Sequence, residues 1–204
     1  MPAKKIDLRK ELGPFYKPPS KEPVVVDVPP MNFLMIDGAG GPTEGTEFQD
    51  AIQALYGMAY TLKFSLKKQG IAEYPVMPLE ALWGTEGGAF DLEDRANWRW
   101  TAMIVLPDVV TRAHVEKARA QLKEKRDPKA LPKLRIERFD EGRAAQIMHI
   151  GPYAEEWPTI QRLHDFIRAK GGKPVGRHHE IYLGDPRKAD PSKQKTVLRQ
   201  PFRE

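Results

Sequence analysis

Two similar hexapeptides decide the predicted fold of this chain: LEALWG at residues 79–84 and HEIYLG at residues 179–184. In this alignment Glu80 corresponds to Glu180, an offset of 100 residues (180 − 80), and both motifs end in glycine. Around each motif the hydrophobic pattern has the same order: strand, helix, strand, strand. Such self-similarity indicates a duplicated unit with a pseudo-two-fold axis.

The first unit begins with a buried strand at Phe33–Ile36 and a turn-forming run at residues 37–42. Apolar residues then recur at steps of three and four, which predicts a helix over residues 46–69 that ends at Gly70. Two strands follow, at residues 76–83 and 98–105. Thr111 is placed to cap a connecting helix that reaches about Arg126.

The second unit repeats this order after a half-exposed strand at residues 134–139. It contains a strand at 145–150, a helix at about 156–170, and strands at 178–183 and 196–201. The chain is therefore predicted to be an α+β protein built from two strand-helix-strand-strand units.

The predicted domain organisation is an N-terminal arm over residues 1–23 and one ligand-binding domain over residues 24–204. Its halves cover about 31–107 and 143–204, with the connecting helix and strand at about 111–139. Prolines leave no room for a long helix in the first thirty residues, although Val24–Val26 can pair as an edge strand.

The composition restricts the functional class. The 204 residues include no cysteine, which excludes disulfides and thiolate chemistry and suits a cytoplasmic location. No apolar run approaches the roughly 20 residues that span a bilayer, so no membrane partner is expected. The charge of +5 is concentrated in the two ends, which argues against a nucleic-acid partner. The oligomeric state is left open.

Glu180 is the strongest candidate for chemistry. Alternation along a strand places it on one face with His178 and Tyr182, while Ile181 and Leu183 take the opposite face, towards the helices. A mid-strand carboxylate beside a tyrosine can pair with a cationic ligand, act as a general base, or form a salt bridge with an arginine.

Glu80 has the same alternatives, with Leu82 on its face and Trp83 on the opposite one. Because equivalent strands of a duplicated fold approach each other at the symmetry axis, both glutamates are expected near a cleft between the halves.

Aromatic residues supply the second feature of the predicted pocket. Trp98 and Trp100 lie two residues apart on one strand and share a face. Further flat surfaces come from Trp83, Tyr153, Trp157 and Tyr182. Rings opposite a carboxylate hold planar or quaternary-ammonium ligands by stacking and cation–π attraction, so the expected partner is a small molecule of this class.

Other chemistries are disfavoured. No serine lies in a Gly-x-Ser-x-Gly motif, and the glycines at 38–41 lack the spacing of a nucleotide-binding loop. His178 and His179 are adjacent in a strand, so they face opposite ways and cannot chelate together. We expect neither a metal nor a cofactor.

The chain resembles the GyrI-like proteins, relatives of the ligand-sensing domains of multidrug-responsive transcription regulators. The resemblance rests on residues 28–38, 78–83, 98–101, 103–108, 149–153, 179–186 and 196–199. It implies antiparallel sheets around a central ligand pocket, with Glu180 as the buried acid that meets ligands and Tyr153 as a pocket residue. In one departure from the family pattern, Trp83 is followed by Gly84 where a second aromatic is common.

Some stand-alone GyrI-like proteins hydrolyse cyclopropane-bearing alkylating compounds. By this resemblance Glu180 would activate water, the tryptophans would hold a planar substrate and Tyr153 would donate a hydrogen bond. Three hypotheses follow: a hydrolase that detoxifies xenobiotics, a drug sequesterer or sensor without turnover, and a protein-interaction module that inhibits a DNA-handling enzyme.

Overall fold

The computed structural model of the chain describes residues 3–42, 46–85, 97–184 and 190–204. The helices in these ranges are α1 (Leu8–Glu11), α2 (Gly13–Tyr16), α3 (Thr46–Lys68), α4 (Arg112–Lys125) and α5 (Trp157–Ala169). The strands are β1 (Lys4–Lys5), β2 (Val24–Val28), β3 (Met31–Ala39), β4 (Ala72–Glu73), β5 (Leu79–Thr85), β6 (Trp98–Leu106), β7 (Arg135–Phe139), β8 (Gly142–Ile150), β9 (Lys173–Pro174), β10 (His178–Tyr182) and β11 (Lys195–Arg203).

One open antiparallel sheet joins the two halves of the chain. Its strand order is β2-β8-β11-β10-β5-β6-β3-β7, and β9 pairs with the end of β11. Outward from the central β10–β5 pair, each half presents its strands in the same order, so the pseudo-two-fold axis passes between these two strands. The predicted α+β class and duplication are confirmed, and the strands of both halves form one continuous sheet.

The two long helices of the repeats pack on one face of this sheet. Helix α3 lies on β3 and β6, and α5 lies on β8 and β11. Leu198, which pairs with Glu180, belongs to the apolar cluster under α5 together with Leu163. Since directly paired residues share a face, the helices cover the face of Glu180. The expectation that Ile181 faces these helices is wrong.

The N-terminal arm covers the reverse face. Arg199 Nη2 donates to the Phe15 carbonyl at 2.6 Å, and Gln146 Nε2 donates to the Pro14 carbonyl at 2.8 Å. As predicted, the described part of the arm contains only four-residue helices, and residues 24–28 form an edge strand against β8. The division of the chain at residue 23 stays a prediction.

Most predicted elements appear within a few residues of their expected bounds. Strand β5 begins at Leu79, later than predicted, because Pro78 has no N–H to donate to a ladder. Thr111 caps α4 as expected, with its hydroxyl accepting from the His114 N–H at 3.3 Å. No helix among the described residues has the length and apolar character needed to cross a membrane.

Candidate functional site

A cleft of about 2010 Å³ lies on the helix-bearing face of the sheet. Helix α3 lines one side and the first turn of α5 lines the other, while β5 and β10 contribute the floor. Ligand pockets for drug-sized molecules are usually about 300–1,000 Å³, so this cleft can admit a larger or extended ligand.

Glu180 lies in the floor of this cleft and is 9% exposed. Its Oε2 atom accepts a hydrogen bond of 2.6 Å from the Tyr182 hydroxyl, which in turn accepts one of 3.0 Å from Trp83 Nε1. Burial and the neighbouring Glu180 hold the pKa of Tyr182 well above its usual value, so this hydroxyl stays a donor. The relay fixes the carboxylate and leaves its other oxygen for a second partner.

His178 lies beside that second oxygen, with Nε2 at 3.6 Å from Glu180 Oε1. It shares the face of Glu180, as predicted: His178 pairs with Trp83 and Glu180 pairs with Ala81, and these partners lie two residues apart on β5. Its side chain is fully buried and does not line the cleft, so it stands behind the carboxylate.

Glu156 is the second carboxylate of the cleft, and it lies immediately before the first turn of α5. Burial raises its pKa to about 9, and the negative charge of Glu180 adds to this effect. A helix N-terminus normally favours an ionised carboxylate, so burial outweighs the helix dipole here. At neutral pH Glu156 therefore carries a proton while lying beside a second acid, an arrangement that separates a proton donor from a proton acceptor.

Aromatic rings form the walls on both sides of this acid pair. The Trp83 ring packs edge-to-face on Trp98 at 5.5 Å and lies 5.3 Å from Phe48 of α3. On the other side, Tyr153 packs edge-to-face on Tyr182 at 5.6 Å. Tyr153 and Trp157 are 40% and 44% exposed and line the mouth of the cleft, although large aromatic residues at such a position are usually more buried.

Comparison with known proteins agrees with this geometry. The model of the GyrI-like small molecule binding domain matches residues 21–202. The chain belongs to the GyrI-like family. No curated protein is detectably similar to it.

Solved structures of the same size support the assignment. An uncharacterized conserved protein from Listeria innocua is 43% identical, with 97% of this chain and 100% of that one covered and a TM-score of 0.89. A hydrolase from the same organism is 41% identical, with 98% and 100% covered and a TM-score of 0.87. The C-terminal domain of EcmrR, at 10% identity, covers 90% of this chain and 98% of its own and has a TM-score of 0.59; it shares the fold alone.

The structure places the expected residues of this GyrI-like chain in three groups. Those that line the cleft are Glu180, Tyr182, Trp83, Trp98, Tyr153 and Trp157. His178 lies behind the cleft, and Trp100 and Glu80 lie away from it. The departure at Gly84 falls inside β5, where the glycine pairs with Arg99 of β6.

Trp100 has the predicted face, because it pairs with Trp83, but it is only 1% exposed. Phe48 packs edge-to-face on it at 5.0 Å, and a Cβ atom at Gly38 would lie 2.1 Å from its ring. Trp100 is thus enclosed in the core by a helix and by a close backbone approach. Strand alternation predicts the face of a residue, not what covers it.

Glu80 is the larger correction, because it lies on the reverse face of the sheet. It pairs with Ile181, whereas Glu180 pairs with Ala81, so the two glutamates point in opposite directions. Glu80 is fully buried, accepts a hydrogen bond from the Tyr16 hydroxyl of the arm, and lies 3.0 Å from His179 Nε2. It belongs to an ion-pair network and not to the cleft.

Glu156 was not singled out by sequence reasoning. The Trp-Pro pair that follows it marks the start of a helix, and this predicts only a boundary. Its role depends on burial against β10, which a single sequence does not reveal. Among the described residues no group of histidines and carboxylates could hold a metal ion.

Proposed function

We propose that this GyrI-like chain binds planar, apolar or cationic small molecules and hydrolyses those that carry an activated cyclopropane ring. The observation that carries the proposal is a pair of buried cleft carboxyl groups: burial and the charge of Glu180 raise the pKa of Glu156 to about 9, and Tyr182 holds Glu180 by a hydrogen bond. Such a pair supplies an acid and a base to the same bound molecule.

The reaction needs both members of the pair. Glu180 accepts a proton from water while the water oxygen attacks the ring methylene. The ring C–C bond breaks, and its electron pair passes through the conjugated system to a carbonyl oxygen. Glu156 gives its proton to that oxygen, so the net change is the addition of one water molecule. Proton exchange with solvent resets the two carboxyl groups.

The aromatic walls explain the expected substrate class. Trp83 and Trp98 on one side, and Tyr153 and Trp157 on the other, can enclose a flat ring system by stacking. A cation beside Glu180 would form an ion pair with the carboxylate and cation–π contacts with the neighbouring rings. The proposed role of Tyr153 is a hydrogen bond to the substrate near the mouth. The Listeria protein described as a hydrolase agrees with a hydrolytic role.

The test is a mass-spectrometric turnover assay with a carbonyl-conjugated cyclopropane alkylator. We expect the wild type to accumulate a product one water heavier over many turnovers, and Glu180→Gln and Glu156→Gln each to lose at least about tenfold in rate. Glu155→Gln is the matched control, because Glu155 neighbours Glu156 in sequence but is exposed and does not line the cleft.

Two outcomes would contradict this proposal in different ways. Binding of the compound, seen by tryptophan fluorescence, with complete recovery of intact compound would leave a drug sequesterer or sensor. Absence of binding would leave a protein-interaction role as the remaining hypothesis.

A further inference from the structure

We infer that the cleft contains a second, outer subsite along α3 that takes the distal planar unit of an elongated ligand and places an anionic end beside Lys68 and Arg9. This inference rests on the proposed ligand-binding function and names the shape and charge of the ligand. It is carried by an aromatic row, by its continuity with the carboxylate cleft and by the distribution of charge.

The aromatic row consists of Tyr56, Tyr60 and Phe64, which recur every fourth residue on α3. Neighbouring ring centroids are 6.4 and 6.2 Å apart, and the ring planes deviate by only 31° and 22°. Tyr60 and Phe64 are 46% and 60% exposed, although α3 already buries another face against the sheet. The helix therefore presents a second, aromatic face.

This row is continuous with the carboxylate cleft. Its inner member, Tyr56, accepts a hydrogen bond of 3.2 Å from the backbone N–H of Leu79, and Leu79 pairs with Tyr182 beside Glu180. From Tyr56 the row runs about 12 Å along the helix to Phe64, since each residue rises about 1.5 Å. All three rings line the same cavity as Glu180, over a floor of Val76, Met77 and Pro78.

Charge separates the inner part of the cavity from its outer part. Among the described lining residues the acids are Glu156 and Glu180, both at the inner part. The basic lining residues are Lys68, one turn beyond Phe64 on α3, Arg9 of α1, and Lys125 and Arg126 at the end of α4, all of them exposed. Arg9 also borders a second concavity whose described lining includes Lys5, Lys10, Lys17 and Lys63.

A ligand that fits both parts is polarised. Its inner unit is a planar cation or neutral ring for the acid pair, and its outer unit is a planar ring that stacks on Tyr60 and Phe64. A carboxylate on the outer unit would meet the basic residues.

Three probes separate the contributions of length and charge. They are 1-methylquinolinium, 1-methyl-4-styrylquinolinium, and the latter with a 4-carboxylate on its styryl ring. Binding of each is measured by tryptophan fluorescence and calorimetry at low salt. Stacking of the added ring predicts that the styryl compound binds roughly 3- to 10-fold more tightly than 1-methylquinolinium. The carboxylate adds a further gain of about 3-fold.

Variants at exposed positions test the subsite without threatening the fold. Phe64→Ala should weaken the styryl compounds about 3- to 10-fold and leave 1-methylquinolinium unchanged. Lys68→Met should remove the gain from the carboxylate. The controls are Ile150→Ala, an apolar residue that is 50% exposed outside the cleft, and Lys117→Met, an exposed lysine that does not line it.

Unchanged affinity of the styryl compounds for Phe64→Ala overturns the inference, whatever the short probe does. If 1-methylquinolinium fails to bind while the styryl compounds bind through Phe64, the outer subsite stands and the proposed acid site falls. Binding of none of the three contradicts both.

Discussion

Buried glutamates lie at both faces of strand β10, but these glutamates have different partners on the two faces. On the reverse face, His179 lies 3.0 Å from Glu80 and 2.8 Å from Glu141, and Arg199 lies 2.8 Å from Glu141. On the cleft face, one residue further along, Glu180 has a tyrosine donor and lies beside Glu156, an acid kept protonated by burial.

The contrast lies in the groups that face the buried acids. On the reverse face the carboxyl groups of Glu80 and Glu141 lie against His179 and the Arg199 guanidinium. Burial by itself would lower the pKa of His179. The charge of Glu141 and hydrogen bonds with Glu141 and Glu80 outweigh burial and raise this pKa. Despite burial, His179 and Arg199 lower the pKa of Glu141 to about 2. A buried network that pairs acids with basic groups indicates a structural role, whereas two acids side by side in a cleft, one with a strongly raised pKa, indicate a site for a ligand.

The largest expected effect comes from breaking the network on the reverse face. His179→Gln removes the cation between Glu80 and Glu141, and we expect the free energy of unfolding to fall by about 3–5 kcal/mol in urea denaturation. The double variant His179→Gln/Glu80→Gln should recover part of this loss, because one unpaired carboxylate is removed. A loss below about 1 kcal/mol would show that the network is not structural.

On the cleft face, the buried proton of Glu156 should make the stability of the protein depend on pH. Because the folded-state pKa of Glu156 is about 9 and its ordinary value is 4.5, the folded protein retains a proton that the unfolded chain releases between these pH values. Wild-type stability should therefore fall with rising pH in this window, relative to Glu156→Gln, by at most about 1.4 kcal/mol per pH unit. These two pKa values predict a loss of about 4 kcal/mol between pH 5 and pH 8, measured by urea denaturation. Parallel pH profiles of the two proteins would contradict the assignment.

The variant Tyr182→Phe tests whether Tyr182 positions Glu180 for ligand binding, with little effect on the fold. The variant removes the donor to Glu180 and the acceptor of Trp83 Nε1, which costs about 1 kcal/mol of stability. The affinity for 1-methylquinolinium, measured by fluorescence titration, should fall about 3- to 10-fold because Glu180 is no longer held. Unchanged affinity would mean that Tyr182 does not position the acid.

The smallest effect is expected at the mouth of the cleft. Trp157→Ala removes a ring that is 44% exposed, so the free energy of unfolding should stay within about 0.5 kcal/mol of wild type. Affinity for the same cation should fall roughly 2- to 5-fold through the loss of one stacking surface. A large loss of stability would instead make Trp157 a core residue.

The duplicated hexapeptides predicted the order of the elements along the chain and the approach of the two equivalent strands at the axis, but their alignment reversed one face. The observed antiparallel register pairs Ala81 with Glu180, so these two residues share a face, whereas Glu80 pairs with Ile181 on the other face. In a strand, a shift of one residue exchanges the two faces. The offset of 100 therefore matched residue types, since Glu80 and Glu180 are both glutamates, while placing them on opposite sides.

Six residues proposed from the sequence line the cleft, and strand alternation accounts for the shared face of Glu180 and Tyr182 among them. Glu156 could not be predicted because its proton depends on burial between α5 and the sheet. Trp100 could not be distinguished from Trp98 because Phe48 covers it from a distant segment. These features arise from packing between elements, which local periodicity does not record.

The most direct test of the account compares the two glutamates of the repeated motif. The measurement is the dissociation constant of 1-methylquinolinium for the wild type, Glu180→Gln and Glu80→Gln, each at a temperature where it is folded. The account predicts at least about a tenfold loss of affinity for Glu180→Gln and a change below about twofold for Glu80→Gln. Equal losses in the two variants, or a loss confined to Glu80→Gln, would contradict the assignment of the two faces.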